Sequence, residues 1–197
     1  MTKRRGRPAK YDQDEVLEKA MGVFWQKGLA ATSLDELSDA MGMNRPSIYN
    51  AFGDKESLYR KSFEAFVKRI GAKLDAILDK DLPLKEALLQ FYEQALKEYI
   101  QDEESLGCFV TCTAPVESLA HPSVKNDLNA LITMVDKKLE KRLLKAQREG
   151  DWPEDRDAKP GAKLLHGLQQ SIAIRVRGGE SKASLTKLYK GSLDLLC

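Results

Sequence analysis

Histidine is nearly missing from this chain: His121 and His166 are the only two in 197 residues. Neither belongs to a His-Glu-x-x-His helix, and no glycine-rich phosphate loop follows a strand, so the means for metal-dependent or nucleotide-dependent catalysis are scarce. No enzyme and no cofactor or metal is expected. Cysteine is sparse and odd in number, at three, which argues against a disulfide framework and for a reducing, cytoplasmic setting. No apolar run approaches the roughly 18–20 residues of a membrane helix, and the basic N-terminus lacks the apolar stretch of a signal peptide. Neither a membrane partner nor an export route is expected. Strand-like alternation is weak throughout. What is present is 42% hydrophobic and 31% charged, the balance of a folded chain with long amphipathic elements.

Charge is distributed unevenly. Residues 1–10 hold Lys3, Arg4, Arg5, Arg7 and Lys10 with no acid, whereas residues 11–60 hold five bases and nine acids. A polyanion would therefore be held by the arm and by local placement of charge, not by bulk charge.

Helical periodicity recurs along the whole chain. Asp12 and Glu15 have capping-box spacing, and Val16, Leu17, Ala20, Met21 and Phe24 follow at helical intervals, ending at Lys27-Gly28. Ser33 and Glu36 head a second, short helix with Leu34, Leu37, Ala40 and Met41 on its inner side. Gly42 suits the sharp turn that follows, Asn44 is a good N-cap for a third helix, and Pro46 is tolerated in its first turn. Ile48 and Phe52 point inward from that helix, and Gly53-Asp54 ends it. A fourth helix is read from Asp54 to about Asp79, and further helices at about 84–100, 105–119, 122–149, 158–177 and 181–196. The expected fold is all-α, about nine helices, with a three-helix head (1–53) and a larger helical body (54–197).

Between Ala40 and Gly53 there is one charge, Arg45, and no carboxylate. The third helix offers Arg45, Ser47, Tyr49 and Asn50 as donors for phosphates or base edges. A short helix, a glycine turn and an acid-free helix make a helix-turn-helix, in which the third helix would enter the major groove. An ordinary helical hairpin with a solvated face fits the periodicity equally well.

The run Ala31-Thr32-Ser33-Leu34-Asp35-Glu36-Leu37-Ser38-Asp39-Ala40-Met41-Gly42, then Ser47-Ile48-Tyr49-Asn50-Ala51-Phe52 and Asp54-Lys55-Glu56-Ser57-Leu58-Tyr59, resembles the DNA-binding domain of the TetR family of repressors. The likeness is dense from about Tyr11 to Tyr59. It implies a nine-helix homodimer, a transcriptional repressor whose hold on a palindromic double-stranded operator is released by a small-molecule effector. By position it carries over Arg45, Pro46, Ser47, Tyr49 and Asn50 as recognition-helix contacts, with Asn44 at the helix start. Thr32 and Lys55 would hold phosphates, each beside a helix N-terminus, and Ser33 would be a further DNA contact. Position 46 more often holds Gly or Ala in that family.

The arm Lys3-Arg4-Arg5-Gly6-Arg7-Pro8 resembles an AT-hook, and Arg4, Arg5 and Arg7 would add minor-groove contacts beside a major-groove helix. A solubilising tail touching phosphates non-specifically is the plainer reading. In the body, Cys108 and Cys112 lie at i and i+4 and read as core residues, a redox pair, or soft ligands with His121. Phe66, Phe91, Tyr92, Phe109, Cys112, Met134 and His166 fall on inner faces and would line an effector cavity or serve as plain core. The last two helices carry Leu164, Leu165, Leu168 and Ile172, then Leu185, Leu188, Tyr189 and Leu193. The resemblance implies that these helices dimerise; packing within the chain is equally compatible with the stripes. A helical scaffold for protein interaction is the remaining rival reading.

Overall fold

The computed structural model describes residues 12–101 and 104–197. Among them are nine α-helices and one antiparallel pair of two-residue strands. They divide into two compact units, 12–62 and Phe63–Cys197. The basic arm with Arg4, Arg5 and Arg7 lies outside the described residues.

The first unit forms where local caps demand it. Helix α1 (Gln13–Ala31) starts at Asp12, whose carboxylate accepts from the N–H groups of Asp14 and Glu15. Glu15 then pairs with Lys19 one turn on, at 2.7 Å. Regular geometry breaks at Gly28 (φ 77°), the expected end, and one further turn runs to Ala31. Helix α2 (Leu34–Met41) carries the full Ser33–Glu36 capping box and stops at Gly42, in the left-handed region at φ 63°. Helix α3 (Arg45–Phe52) is capped by Asn44, whose Oδ1 accepts from Ser47 N–H at 2.9 Å. Pro46 sits in the first turn, where its missing N–H costs nothing, so the helix starts normally.

Phe24, Leu37, Ile48 and Phe52 are each at most 2% exposed and make the core of this unit. Helix α4 (Lys55–Leu78) adds to it, because Leu58 and Tyr59 are fully buried and Tyr59 meets Phe24 edge-on at 5.3 Å. The division between units therefore falls within α4, after Ser62, not at the Gly53-Asp54 turn that ends α3.

The second unit contains the rest of α4 and helices α5 (Leu84–Tyr99), α6 (Phe109–Glu117), α7 (Pro122–Arg148), α8 (Ala158–Arg177) and α9 (Lys182–Leu196). Helix α7 packs along α8, and α5 lies against α7, α8 and α9. Strands β1 (Ile100–Gln101) and β2 (Glu104–Ser105) turn the chain back after α5. The sequence reading placed α6 from 105; it begins four residues later. The reason is Gly107, at φ 69°, whose N–H donates to Tyr99 O at 3.0 Å. A Cβ there would come within 2.3 Å of the Ala173 carbonyl oxygen, so the chain can pass α8 this closely only as glycine.

Five of the eight residues read as a dimer face are spent inside the protomer. Leu165, Ile172, Leu185, Tyr189 and Leu193 are between 0 and 3% exposed. They have no area left to offer a second copy. Leu164 is 60% exposed, and Leu168 and Leu188 are half-buried.

Candidate nucleic-acid interface and internal cavity

Burial of Ile48 and Phe52 fixes which face of α3 turns outward. That face presents Arg45, Pro46, Tyr49 and Asn50, all exposed, with Ser47 half-buried beside them. Tyr49 is a large ring left 48% exposed on a helix without acids. An amphipathic ring with a hydroxyl tip in that position suits an interface better than open water. Arg45 is held by Asp35 of α2, with Nε to Oδ1 at 2.9 Å. That carboxylate is a partner the sequence reading missed: it orients the guanidinium and must be outcompeted by any phosphate or base. Both groups are more than half exposed, so the pair itself adds little stability.

Thr32 and Lys55 are brought together, though not as two free phosphate ligands. The Lys55 ammonium donates to Thr32 O at 2.6 Å, bracing the turn before α2. The Thr32 hydroxyl is buried and donates to Gly28 O at 2.6 Å. Ser33 is exposed at the N-cap, with its hydroxyl and N–H both on Glu36 Oε2. Glu36 also meets Lys27, and these bonds hold its carboxyl down at about 2, with Lys27 the largest cause and Ser33 next.

Inside the second unit a cavity of about 80 Å³ lies among α4, α5, α6, α7 and α8. Of the residues expected to line it, Phe66, Phe91, Met134 and His166 do so. Tyr92, Phe109 and Cys112 stand outside its wall. The Tyr92 hydroxyl donates to Leu165 O at 2.7 Å and its ring stacks on Tyr189. Phe109 packs edge-on behind Phe66 at 5.7 Å, and the Cys112 thiol turns to Ala173 O. The sequence reading missed Tyr99, Thr111, Gln169 and Gln170 in the wall. Gln169 and Gln170 stand three and four residues after His166, so a polar stripe on α8 was the available signal.

The polar side of the cavity is ordered by one short contact. His166 Nδ1 lies 2.6 Å from Asp136 Oδ1, and its Nε2 lies 3.4 Å from the Gln170 amide. Tyr99 is 2% exposed, and burial first of all pushes its phenol far above the usual range. It therefore stays a neutral hydrogen-bonding group. Burial is also the leading cause that pushes the Cys108 and Cys112 thiols up. A raised thiol is a poor redox sensor, because the thiolate is the reactive form. Among the described residues no group of three His, Cys, Asp or Glu could hold a metal. Nor is any described helix long and apolar enough to cross a membrane.

Comparison with known proteins follows the same lines. Residues 16–61 match the model described as "Bacterial regulatory proteins, tetR family". The chain is 30% identical over 194 residues to the HTH-type transcriptional repressor ComR of Escherichia coli (strain K12), covering 98% of this chain and 92% of that one. It is 34% identical over 105 residues to the repressor BdcR of the same organism, about half of each chain. Among solved structures, a cysteine mutant of the TetR family regulator CifR, complexed with 26 bp double-strand operator DNA, superposes with a TM-score of 0.86 at 26% identity. That match covers 95% of this chain and 98% of CifR. A TetR family regulator from Cytophaga hutchinsonii gives a TM-score of 0.80 at 23% identity, over 95% of this chain and 96% of that one.

Proposed function

Because the chain belongs to the tetR family of bacterial regulatory proteins and is a DNA-binding transcriptional regulator, not an enzyme, we propose a specific division of labour among its residues. Helix α3 enters the major groove of a palindromic operator. Arg45, Tyr49 and Asn50 reach base edges or the sugar–phosphate edge from its exposed face, with Ser47 and Pro46 close to the backbone. The observation that carries this is the pairing of a buried Ile48–Phe52 spine with an opposite face free of acids. Asn44 and Ser33 act by setting helix starts, where free N–H groups favour a phosphate, and Thr32 holds the turn between α1 and α2 through its bond to Gly28 O. Lys55 braces that turn and lends its charge to the same phosphate. The arm, through Arg4, Arg5 and Arg7, lies in the neighbouring minor groove. CifR in complex with operator DNA supports the choice of partner.

The protein works as a homodimer in the cytoplasm. Leu164, Leu168, Leu188 and Leu195 keep apolar surface after the protomer has folded, and Leu195 is 84% exposed. They replace the buried stripe as the proposed contact between copies. The cavity of the second unit takes a small-molecule effector whose binding releases the operator. Helix α4 contributes to both the head core, through Tyr59, and the cavity wall, through Phe66 and Ile70, which supports it as the element that couples them. By linkage, DNA and effector then weaken each other by one factor.

The test is salt-dependent binding to operator duplex, selected from random sequence, by the full chain and by a chain lacking residues 1–10. Five cations are lost in the deletion. The log–log salt slope should fall by up to ~4–5 per arm if all five meet phosphates. An unchanged slope and affinity would remove the arm from the interface, and a full chain that selects no sequence would remove the operator reading.

A further inference from the structure

Resting on the cavity reading above, we propose that the effector is an amphipathic anion, a small carboxylate with an apolar tail, whose head is held by Lys138 and Arg142. Two openings in the second unit share walls. The apolar cavity of Phe66, Ile70, Leu74 and Phe91 has Asp75, Leu78 and Lys138 in its lining, and the same three line a second crevice between α4 and α7. That crevice measures about 190 Å³ and has five cationic side chains, Lys138 and Arg142 among them, against two carboxylates, Asp75 and Asp79.

Arg142 is the unexplained member. It is 3% exposed, yet a guanidinium keeps its charge in any protein. Its Nη2 donates to Leu82 O at 2.6 Å, while Nε and Nη1 have no acceptor. Leaving buried charged donors unmet is costly, and an arriving anion would relieve it. The neighbouring lysines are already matched: Lys141 faces Asp79 at 3.6 Å and Lys145 faces Asp81 at 3.4 Å. Lys138 is matched as well, to Asp75 at 2.6 Å, and this pair stands where the two openings meet. A carboxylate coming from the cavity side would replace Asp75 on Lys138 and supply what Arg142 lacks. A neutral ligand would accept at most a hydrogen bond and leave the Arg142 charge unpaired, and a cation would meet like charge. Phe66, Ile70, Leu74 and Phe91 take the tail.

The experiment uses the full-length protein with octanoate and 1-octanol, two probes of equal chain length that differ in head charge. Calorimetry at pH 7 should show octanoate bound at one site per chain at least about tenfold more tightly than octanol, the scale of a charge-assisted hydrogen bond. Lys138→Met, a change at a half-buried position, should erase that preference by weakening octanoate. Asp75→Asn should tighten octanoate several-fold by removing the competing carboxylate, a gain that a purely structural role cannot give. Arg142→Met should behave as Lys138→Met wherever circular dichroism shows it folded. Equal binding of octanoate and octanol would overturn the anionic head and leave the cavity reading standing. Weaker octanoate binding by Asp75→Asn would overturn the exchange on Lys138, and failure of both probes to bind would overturn the cavity reading itself.

Discussion

Three donors meet at the Glu36 carboxylate: the Lys27 ammonium and the N–H and hydroxyl of Ser33. Together they lower its folded value from 4.5 to about 2. A lowered folded value means the contribution to stability is present above about 4.5 and is lost as pH falls toward 2. Thermal melts of wild type and Glu36→Gln should therefore differ most above pH 4.5 and converge below it. A gap that stays constant with pH would show that the charge is not what matters. At the proposed interface, Tyr49→Ala should weaken operator binding by ~1–3 kcal/mol with helicity unchanged. Lys55→Ala should lower affinity across all sequences and reduce the salt slope by about 1 if the ammonium meets a phosphate. Lower affinity with an unchanged slope would leave Lys55 with its bracing bond to Thr32 alone. Residues whose roles are set within three or four positions were legible in the sequence: the Asp12, Ser33 and Asn44 caps stand where spacing placed them. The Thr32 hydroxyl was not, because its inward turn depends on the carbonyl freed where α1 breaks at Gly28.

Elements tell the same story at longer range. Helices closed by their own side chains or by glycines were read to within a few residues. Where a start is held from far along the chain, the sequence can place it, as it does at 84 for α5, without showing what holds it. Helix α5 begins at Pro83, which offers no capping side chain, and the Leu84 N–H is instead met by the Asp151 carboxylate from the turn after α7. Helix α6 was placed too early, because periodicity cannot see that Gly107 must pass the Ala173 carbonyl. Gly107→Ala tests this directly. It would force a left-handed alanine, costing about 1–2 kcal/mol, and an overpacked contact of about 1–3 more. Denaturant melts should show a loss of roughly 2–5 kcal/mol, whereas Gly167→Ala on an exposed turn of α8, with open space beside it, should be neutral or slightly stabilising. Equal effects would mean the close approach carries no weight.

For the whole molecule, helical spacing showed that α8 and α9 each carry an apolar face, but not what covers it. The protomer itself covers most of it. Leu165 and Leu193 are buried at 3% and 0%, while Leu164, one position along and 100° round the helix, keeps 60% of its surface. Two substitutions one residue apart therefore separate folding from association. Leu165→Glu puts a carboxylate into the protomer's own core and should give an unfolded or aggregated chain. Leu164→Glu meets water in the single copy, so each protomer should keep its helicity and its melting should stay cooperative. In a dimer the same carboxylate would be buried without a partner, at a cost of several kcal/mol, enough to yield monomers at micromolar concentration. Because a dimer engages two half-sites about one helical turn apart, the monomer should lose most of its operator affinity while keeping weak, salt-sensitive binding. Light scattering and anisotropy on one preparation decide it. A folded Leu164→Glu dimer would move the interface off this face, and a folded monomer with full operator affinity would mean that one head suffices.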